Sequence, residues 1–224
     1  MNRVFHFLPA VIIAIVWPAL GCNSTGSAQA RLLNASPGEA TLNGMINSDT
    51  FATNVSYGTA SNYASVTSGS GTMEVEVPGA TSPLLNQTIS LVSKTPYTIM
   101  VSGYPSSIGA IILTDNTTAP SSGNISLRII NASPSLGVAD VYVVAPGTAL
   151  DSVSPTVTAL NFQSATNYLS MAAGSYEVYF TPTGQTVAVI DSGALSLSSG
   201  QVNSIVGLNG AVTGYTTAVL TDMN

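Results

Sequence analysis

The chain has 224 residues, a formal net charge of −6 and only 6% charged residues. With four Lys and Arg against ten acids, its surface repels nucleic acid, whose phosphates are bound by Lys and Arg. The chain is rich in Ser, Thr, Gly and Asn, and no segment keeps a helical period, which points to short strands and tight turns.

At the start, Arg3 supplies a positive charge and Val4 to Trp17 forms an apolar run broken by Pro9. Such a run, ending in small residues, reads as a signal peptide over residues 1–21. A spanning helix would need about 20 uninterrupted apolar residues. Ala19-Leu20-Gly21-Cys22 resembles the lipobox of bacterial lipoproteins, with the usual order of Leu and small residue altered. The resemblance implies cleavage before Cys22, lipid on that sole Cys, and a place in the cell envelope. Asn23 rather than Asp after the Cys resembles the enterobacterial sorting signal for the outer membrane, so the outer membrane or cell surface is favoured. The alternative is an ordinary secretory signal with an incidental Cys. Without Arg3, the cations Arg31, Lys94 and Arg128 face ten acids, a net charge of −7. Anionic headgroups do not attract such a surface. The membrane would therefore be held through the N-terminal lipid, at about 0.8 kcal/mol per buried methylene.

Residues 22–30 read as a polar tether. Then Arg31-Leu32-Leu33-Asn34-Ala35-Ser36-Pro37 returns 97 residues later as Arg128-Ile129-Ile130-Asn131-Ala132-Ser133-Pro134, an internal repeat. Ala60-Ser61-Asn62-Tyr63 parallels Ala165-Thr166-Asn167-Tyr168, and Met73 to Val77 parallels Tyr176 to Phe180. Both copies close alike, Ile112-Leu113-Thr114-Asp115 against Val219-Leu220-Thr221-Asp222. Residues 116–124, polar and carrying Pro120 and Gly123, have linker composition. Two domains follow, 31–115 and 125–224, each expected to fold around its own core.

Within a copy the strands are short. Val138 to Val144 is β-branched and aromatic, closed by Ala145-Pro146-Gly147. In Tyr176 to Phe180 alternate residues Tyr176, Val178 and Phe180 share a face, matched by Met73, Val75 and Val77. Val187–Ile190, Ser204–Leu208 and Thr216–Thr221 complete the later strands. About seven strands per copy predicts an all-β protein of two tandem immunoglobulin-like antiparallel β-sandwiches, with a barrel as the alternative. The Arg-Ile-Ile-Asn-Ala-Ser-Pro segment, followed by Val138-Ala139-Asp140-Val141-Tyr142-Val143, resembles the bacterial domain of unknown function 4397. Copy two keeps the pattern through Tyr168 and Ala173-Gly174-Ser175-Tyr176; copy one departs at Ala40-Thr41-Leu42-Asn43-Gly44-Met45. The resemblance implies tandem sandwiches outside the cytoplasm and carries no established activity.

Chemistry is sparse. The only His, His6, lies in the leader, so beyond Cys22 neither Ser-His-Asp and Cys-His nucleophiles nor metal sites built on His or Cys are available. Lys94 has Leu91, not Ser, three residues before it. No metal or cofactor is expected. Glu74 and Glu76 share a strand face, a spacing that a glycosidase pair tolerates, but Tyr179 replaces Glu76 in copy two and a solvated face fits better. Asn47-Ser48-Asp49 is the loop whose carbonyls offer an alternative, a calcium site. Tyr57, Tyr63, Tyr104 and Tyr168 offer sugar stacking or ordinary packing, and the Asn34 and Asn131 segments read as turns.

The repeated Arg31 and Arg128 read either as an anion site or as structural ion pairs. If first and last strands run side by side, Arg31 should approach Asp115 and Arg128 should approach Asp222. The expected function is a non-catalytic, lipid-anchored envelope protein that presents its sandwiches to a protein or glycan partner, for binding, adhesion or assembly. A carboxylate-dependent glycan-active enzyme and a small-ligand or lipid carrier are the alternatives.

Overall fold

A computed structural model describes residues 26–211 and 213–222, so the expected leader and Cys22 lie outside the described residues. The chain is all-β: among the described residues, helix is confined to single 3₁₀ turns at Pro105–Ser107 and Leu150–Ser152. The first half forms β1 (Ser27–Ala35), β2 (Thr41–Ile46), β3 (Asp49–Ser56), β4 (Ala64–Thr67), β5 (Gly69–Glu76), β6 (Leu85–Leu91), β7 (Pro96–Ser102) and β8 (Gly109–Thr114). The second half forms β9 (Asn124–Asn131), β10 (Ala139–Val144), β11 (Val157–Leu160), β12 (Ser164–Ala165), β13 (Leu169–Ala172), β14 (Gly174–Pro182), β15 (Ile190–Leu197), β16 (Val202–Asn209) and β17 (Tyr215–Thr221).

These strands make four sheets. In the first lobe β4-β1-β7-β8 faces β3-β2-β5-β6; in the second β12-β9-β16-β17, with β13 also on β9, faces β11-β10-β14-β15. The two lobes repeat one strand order. In each, however, the first and last strands are not neighbours. β7 lies between β1 and β8 and runs parallel to β1, and β16 lies between β9 and β17 and runs parallel to β9. Parallel neighbours need a crossover, and β7 arrives from β6, in the opposite sheet. The connecting turn docks on the start of β1, where Lys94 N donates to Ser27 O at 2.7 Å and Gln29 N to Thr95 O at 3.1 Å.

Three element boundaries differ from the sequence reading. β1 starts at Ser27, inside the stretch read as a tether, because Ala28 and Ala30 are buried in the first core. Asn124, assigned to the linker, already opens β9. The Val187–Ile190 run is a loop, and Val187 is 70% exposed; β15 starts only at Ile190. Here the turn after Pro182 overrides β-propensity, for Asp140 accepts the Gly184 N–H at 2.8 Å and ties that turn to β10.

Burial explains why the repeated segments read as continuous rather than alternating apolar runs. One core lies inside the first lobe, with Leu32, Leu42, Met73, Val75, Ile89 and Ile99. Another lies inside the second, with Leu127, Ile129, Val141, Val178, Phe180 and Ile205. A third joins the lobes: Leu33, Ala35 and Met100 meet Ile130, Ala132, Val206, Leu208 and Leu220. The inner sheets are therefore covered on both faces, as apolar strands without alternation usually are. In β1, Leu32 points into the lobe and Leu33 into the joint. In β16, Gly207 lies so close to the Phe180 ring that a Cβ would fall 2.8 Å from it.

The third core sets a condition on folding alone. Residues 125–224 expressed by themselves should expose Ile130, Val206, Leu208 and Leu220, then self-associate and melt below the full chain. Light scattering after size exclusion measures this. A monodisperse monomer melting with the full chain would show that each lobe stands on its own core.

Candidate functional site

The four charged residues singled out by the repeat meet in one place, sealed between the lobes. Their side chains are at most 6% accessible. The register builds the site: the parallel pairing sets Arg31 opposite Thr98 and Arg128 opposite Ser204. Arg31 Nε donates to Thr98 Oγ1 at 2.8 Å, and that hydroxyl donates to Asp115 Oδ2 at 2.6 Å. In the second lobe Arg128 Nε donates to Ser204 Oγ at 2.8 Å, and the Ser donates to Asp222 Oδ2 at 2.5 Å. Within a lobe, a hydroxyl thus stands between the Arg and its expected Asp.

The ion pairs themselves cross. Arg31 Nη2 pairs with Asp222 Oδ1, and Arg128 Nη2 pairs with Asp115 Oδ1 at 2.6 Å. The expected pairing of Arg31 with Asp115 is therefore corrected, because β7 occupies the place beside β1 and interposes Thr98. Arg128 does reach Asp222, but at 3.4 Å, as the longer of its two ion pairs. Each guanidinium also donates Nη1 to a carbonyl of the other lobe, Arg31 to Thr221 O at 2.8 Å and Arg128 to Thr114 O at 3.2 Å.

Tyr63 and Tyr168 close the cluster. Arg31 sits 4.6 Å from the Tyr63 ring centroid and Arg128 4.8 Å from that of Tyr168, within cation–π range. Tyr63 OH donates to Asp115 Oδ2 at 2.7 Å, and Tyr168 OH to Asp222 Oδ2 at 2.8 Å. Burial, then the negative Asp115, pushes the Tyr63 phenol well above its ordinary value. Burial does the same to Tyr168, opposed by Arg128 and reinforced by Asp222. An open groove of about 600 Å³ runs over Arg31, Tyr63 and Thr221, but each nitrogen of the guanidinium below already donates to a group in the joint.

The Asn-Ala-Ser-Pro segments are turn-and-sheet fasteners. Asn34 Nδ2 donates to Glu39 O and Val55 O, and Asn131 Nδ2 to Gly137 O and Leu160 O. Each Asn side-chain oxygen accepts the N–H two residues on, from Ser36 and Ser133. Both Asn are fully buried. A further equivalence was hidden in the sequence. Asp140 accepts the Ala159 N–H at 2.8 Å; in copy one Asn43 accepts the Asn54 N–H at 2.8 Å, and Ala159 and Asn54 share a positive φ near 50°. Asn43 thus replaces Asp140 inside the segment where copy one departs.

The remaining candidates are dispersed. Glu74 and Glu76 accept from Asn86 and Asn43 on the partly exposed face of β5. Asn47 and Ser48 form the β2–β3 hairpin turn, with φ of 52° and 68°, the both-positive geometry of a primed turn. Asn47 Oδ1 accepts the Thr72 N–H there. Among the described residues no three His, Cys, Asp or Glu converge as metal ligands. Sequence reading missed Tyr215, Asn209 and Ser135, which share a cleft with Tyr104; only the exposure of aromatic side chains could have flagged it.

The family model described as Domain of unknown function (DUF4397) matches residues 28–142, just over half of the chain, from β1 into β10. No curated protein matches the chain. Among solved structures, the Bacillus anthracis TIE protein aligns at 9% identity and a TM-score of 0.27, over 83% of this chain and 34% of its own. This chain thus spans about a third of that protein's length. A family 41 carbohydrate-binding module from streptococcal virulence factors aligns at 13% identity and 0.28, over 86% of this chain and 96% of its own. The CBM26 module of Eubacterium rectale Amy13K, solved with maltoheptaose, aligns at 11% and 0.28, over 87% and 96%. These scores carry nothing about ligand.

Three measurements test the cluster. Removing Arg128 strands the buried Asp115 carboxylate and should cost about 3–5 kcal/mol in urea unfolding; removing Arg31 leaves Asp222 its longer pair with Arg128 and should cost less. In double-mutant cycles Arg31→Ala with Asp222→Ala should couple more strongly than Arg31→Ala with Asp115→Ala; equal couplings would refute the crossed pairing. The phenols give a pH test. Raised folded pKa values stabilise fully below the unfolded value, about pH 10, and that stability is lost as pH rises through the folded values. The melting temperature should hold to about pH 10 and then fall. The Tyr63→Phe/Tyr168→Phe variant should start lower and fall less; a parallel fall would exclude these phenols as the cause.

Proposed function

The chain belongs to the DUF4397 family, and from that premise we propose a non-catalytic, lipid-anchored envelope protein whose two lobes, two tandem copies of the family domain, act as one rigid binding unit. One observation carries the reading. The groups best equipped for chemistry, two Arg and two Asp, neutralise each other between the lobes and are at most 6% accessible in their side chains. Their role is to fix the lobes relative to each other. Rigidly paired sandwiches suit presentation of loops to a partner, because ordering entropy has already been removed before binding. The interiors are filled by side chains such as Met73, Ile99, Phe180 and Ile190, which favours surface binding over a carrier. Attachment rests on Cys22, and β1 opening at Ser27 leaves only residues 22–26 between lipid and fold.

Metabolic labelling with an alkyne fatty acid tests the anchor. The wild type should be labelled and Cys22→Ala should not; equal labelling removes the anchor from the proposal. Incubation of the protein with oligosaccharides should release no shorter products, and turnover would make it an enzyme.

A further inference from the structure

At the end of the molecule where both Ser-Pro turns lie, equivalent loops of the two lobes enclose an open cleft of about 520 Å³. Pro37 and Gly38 follow the first turn, and Ser135 follows the second. Tyr104 comes from the β7–β8 loop and Tyr215 from the end of the β16–β17 loop, its counterpart. The cleft exists only because the lobes are locked together. Its volume falls in the range of small-molecule sites, roughly 300–1,000 Å³.

Two aromatic side chains that the fold leaves open line this one cleft: Tyr104 is 42% and Tyr215 36% exposed. Of the other tyrosines named from sequence, Tyr63 and Tyr168 lie on the guanidiniums, and Tyr57 borders the cleft with its OH donating to Asn209 O at 2.7 Å. Tyr104 is held in place. Asn209 Nδ2 donates to Tyr104 OH at 3.0 Å and to Ser135 Oγ at 2.8 Å, and those two hydroxyls lie 2.7 Å apart. Only one hydroxyl proton can sit between them. The other has no acceptor among the described residues and is free to meet a ligand.

Charge narrows the ligand class. Among the described residues, none that lines the cleft is charged. Arg31 and Arg128 are 5% and 2% exposed, and Lys94 lies at the opposite end of β1, with its N–H on Ser27 O. An anion finds no counter-charge here. An adjoining cleft of about 410 Å³, sharing Gly38 and Ala211, adds the Tyr57 side chain and Glu39, which extends the groove in a direction that also disfavours anions. Aromatic faces, a spare hydroxyl donor and no charge suit a neutral polyhydroxylated molecule, which offers C–H faces to the rings and hydroxyls to Tyr104, Ser135 and Thr213.

We propose that the Tyr104–Tyr215 cleft binds a neutral oligosaccharide. This deepens the non-catalytic binding reading and rests on it. The fatty-acid labelling and turnover tests fail or succeed independently of the titration that follows.

The full chain is titrated calorimetrically with cellohexaose, chitohexaose and maltohexaose, and with a hexagalacturonate as the charged counterpart. At least one neutral hexamer should bind with one site per chain and outbind the uronate. Tyr104→Ala and Tyr215→Ala should each weaken it by about tenfold, with unchanged circular dichroism, while Tyr104→Phe, which keeps the ring, should retain part of the affinity. The proposal is overturned if no neutral hexamer binds, if the uronate binds best, or if both Ala variants bind as the wild type does.

Discussion

Everything in this molecule is arranged around the need to neutralise two buried guanidiniums with carboxylates from the opposite lobe. Arg31 on Asp222 and Arg128 on Asp115 are ion pairs that neither lobe can make alone. Around them the same accessory set recurs: a hydroxyl on the parallel strand, a Tyr under the guanidinium, and a carbonyl from the far lobe. Every partner so supplied reduces the desolvation penalty that an isolated buried charge would carry. A buried ion pair is weak support for net stability when compared with apolar packing. Its value here is in register, since any other docking of the lobes would leave four charges in a dry joint.

That joint explains the apolar runs. A strand with one solvated face alternates, whereas β1, β7, β9 and β16 serve a lobe core with one face and the joint with the other. Arg31 and Thr98, and Arg128 and Ser204, are polar positions on the joint face, and each pair sits at one level because β1 pairs with β7, and β9 with β16, in parallel register. Fixing the lobes also fixes the loops at their ends. The Tyr104–Tyr215 cleft is a consequence of this, built half from each lobe and lined by neutral residues.

The repeat made much of this visible in advance. Arg31, Arg128, Asp115 and Asp222 stood out because they recur in a chain nearly devoid of charge, and recurrence in such a chain marks groups that must find partners. Strand segments such as Ser204 to Leu208, inside β16, were legible from their β-branched and apolar content. Less was visible where a side chain acts through geometry. Nothing in Ala40 to Met45 announces that Asn43 does the work of Asp140, because an amide and a carboxylate differ in charge while offering the same acceptor.

By itself, the sequence determined the class of structure: composition and strand patterning pointed to an all-β chain, and the repeat implied two equivalent units with paired ionic groups. Only the tertiary structure decided who pairs with whom. Thr98 and Ser204 lie between each Arg and the Asp of its own lobe, so each guanidinium tip reaches across the joint. The physical reason is that periodicity along a chain reports which face a residue occupies, whereas the choice of partner depends on which strand crosses over to lie beside it. The same holds for Tyr63 and Tyr104. Tyr63 is closed against the guanidinium of its own lobe, whereas Tyr104 is left open on a cleft that both lobes line, a difference made by placement in three dimensions.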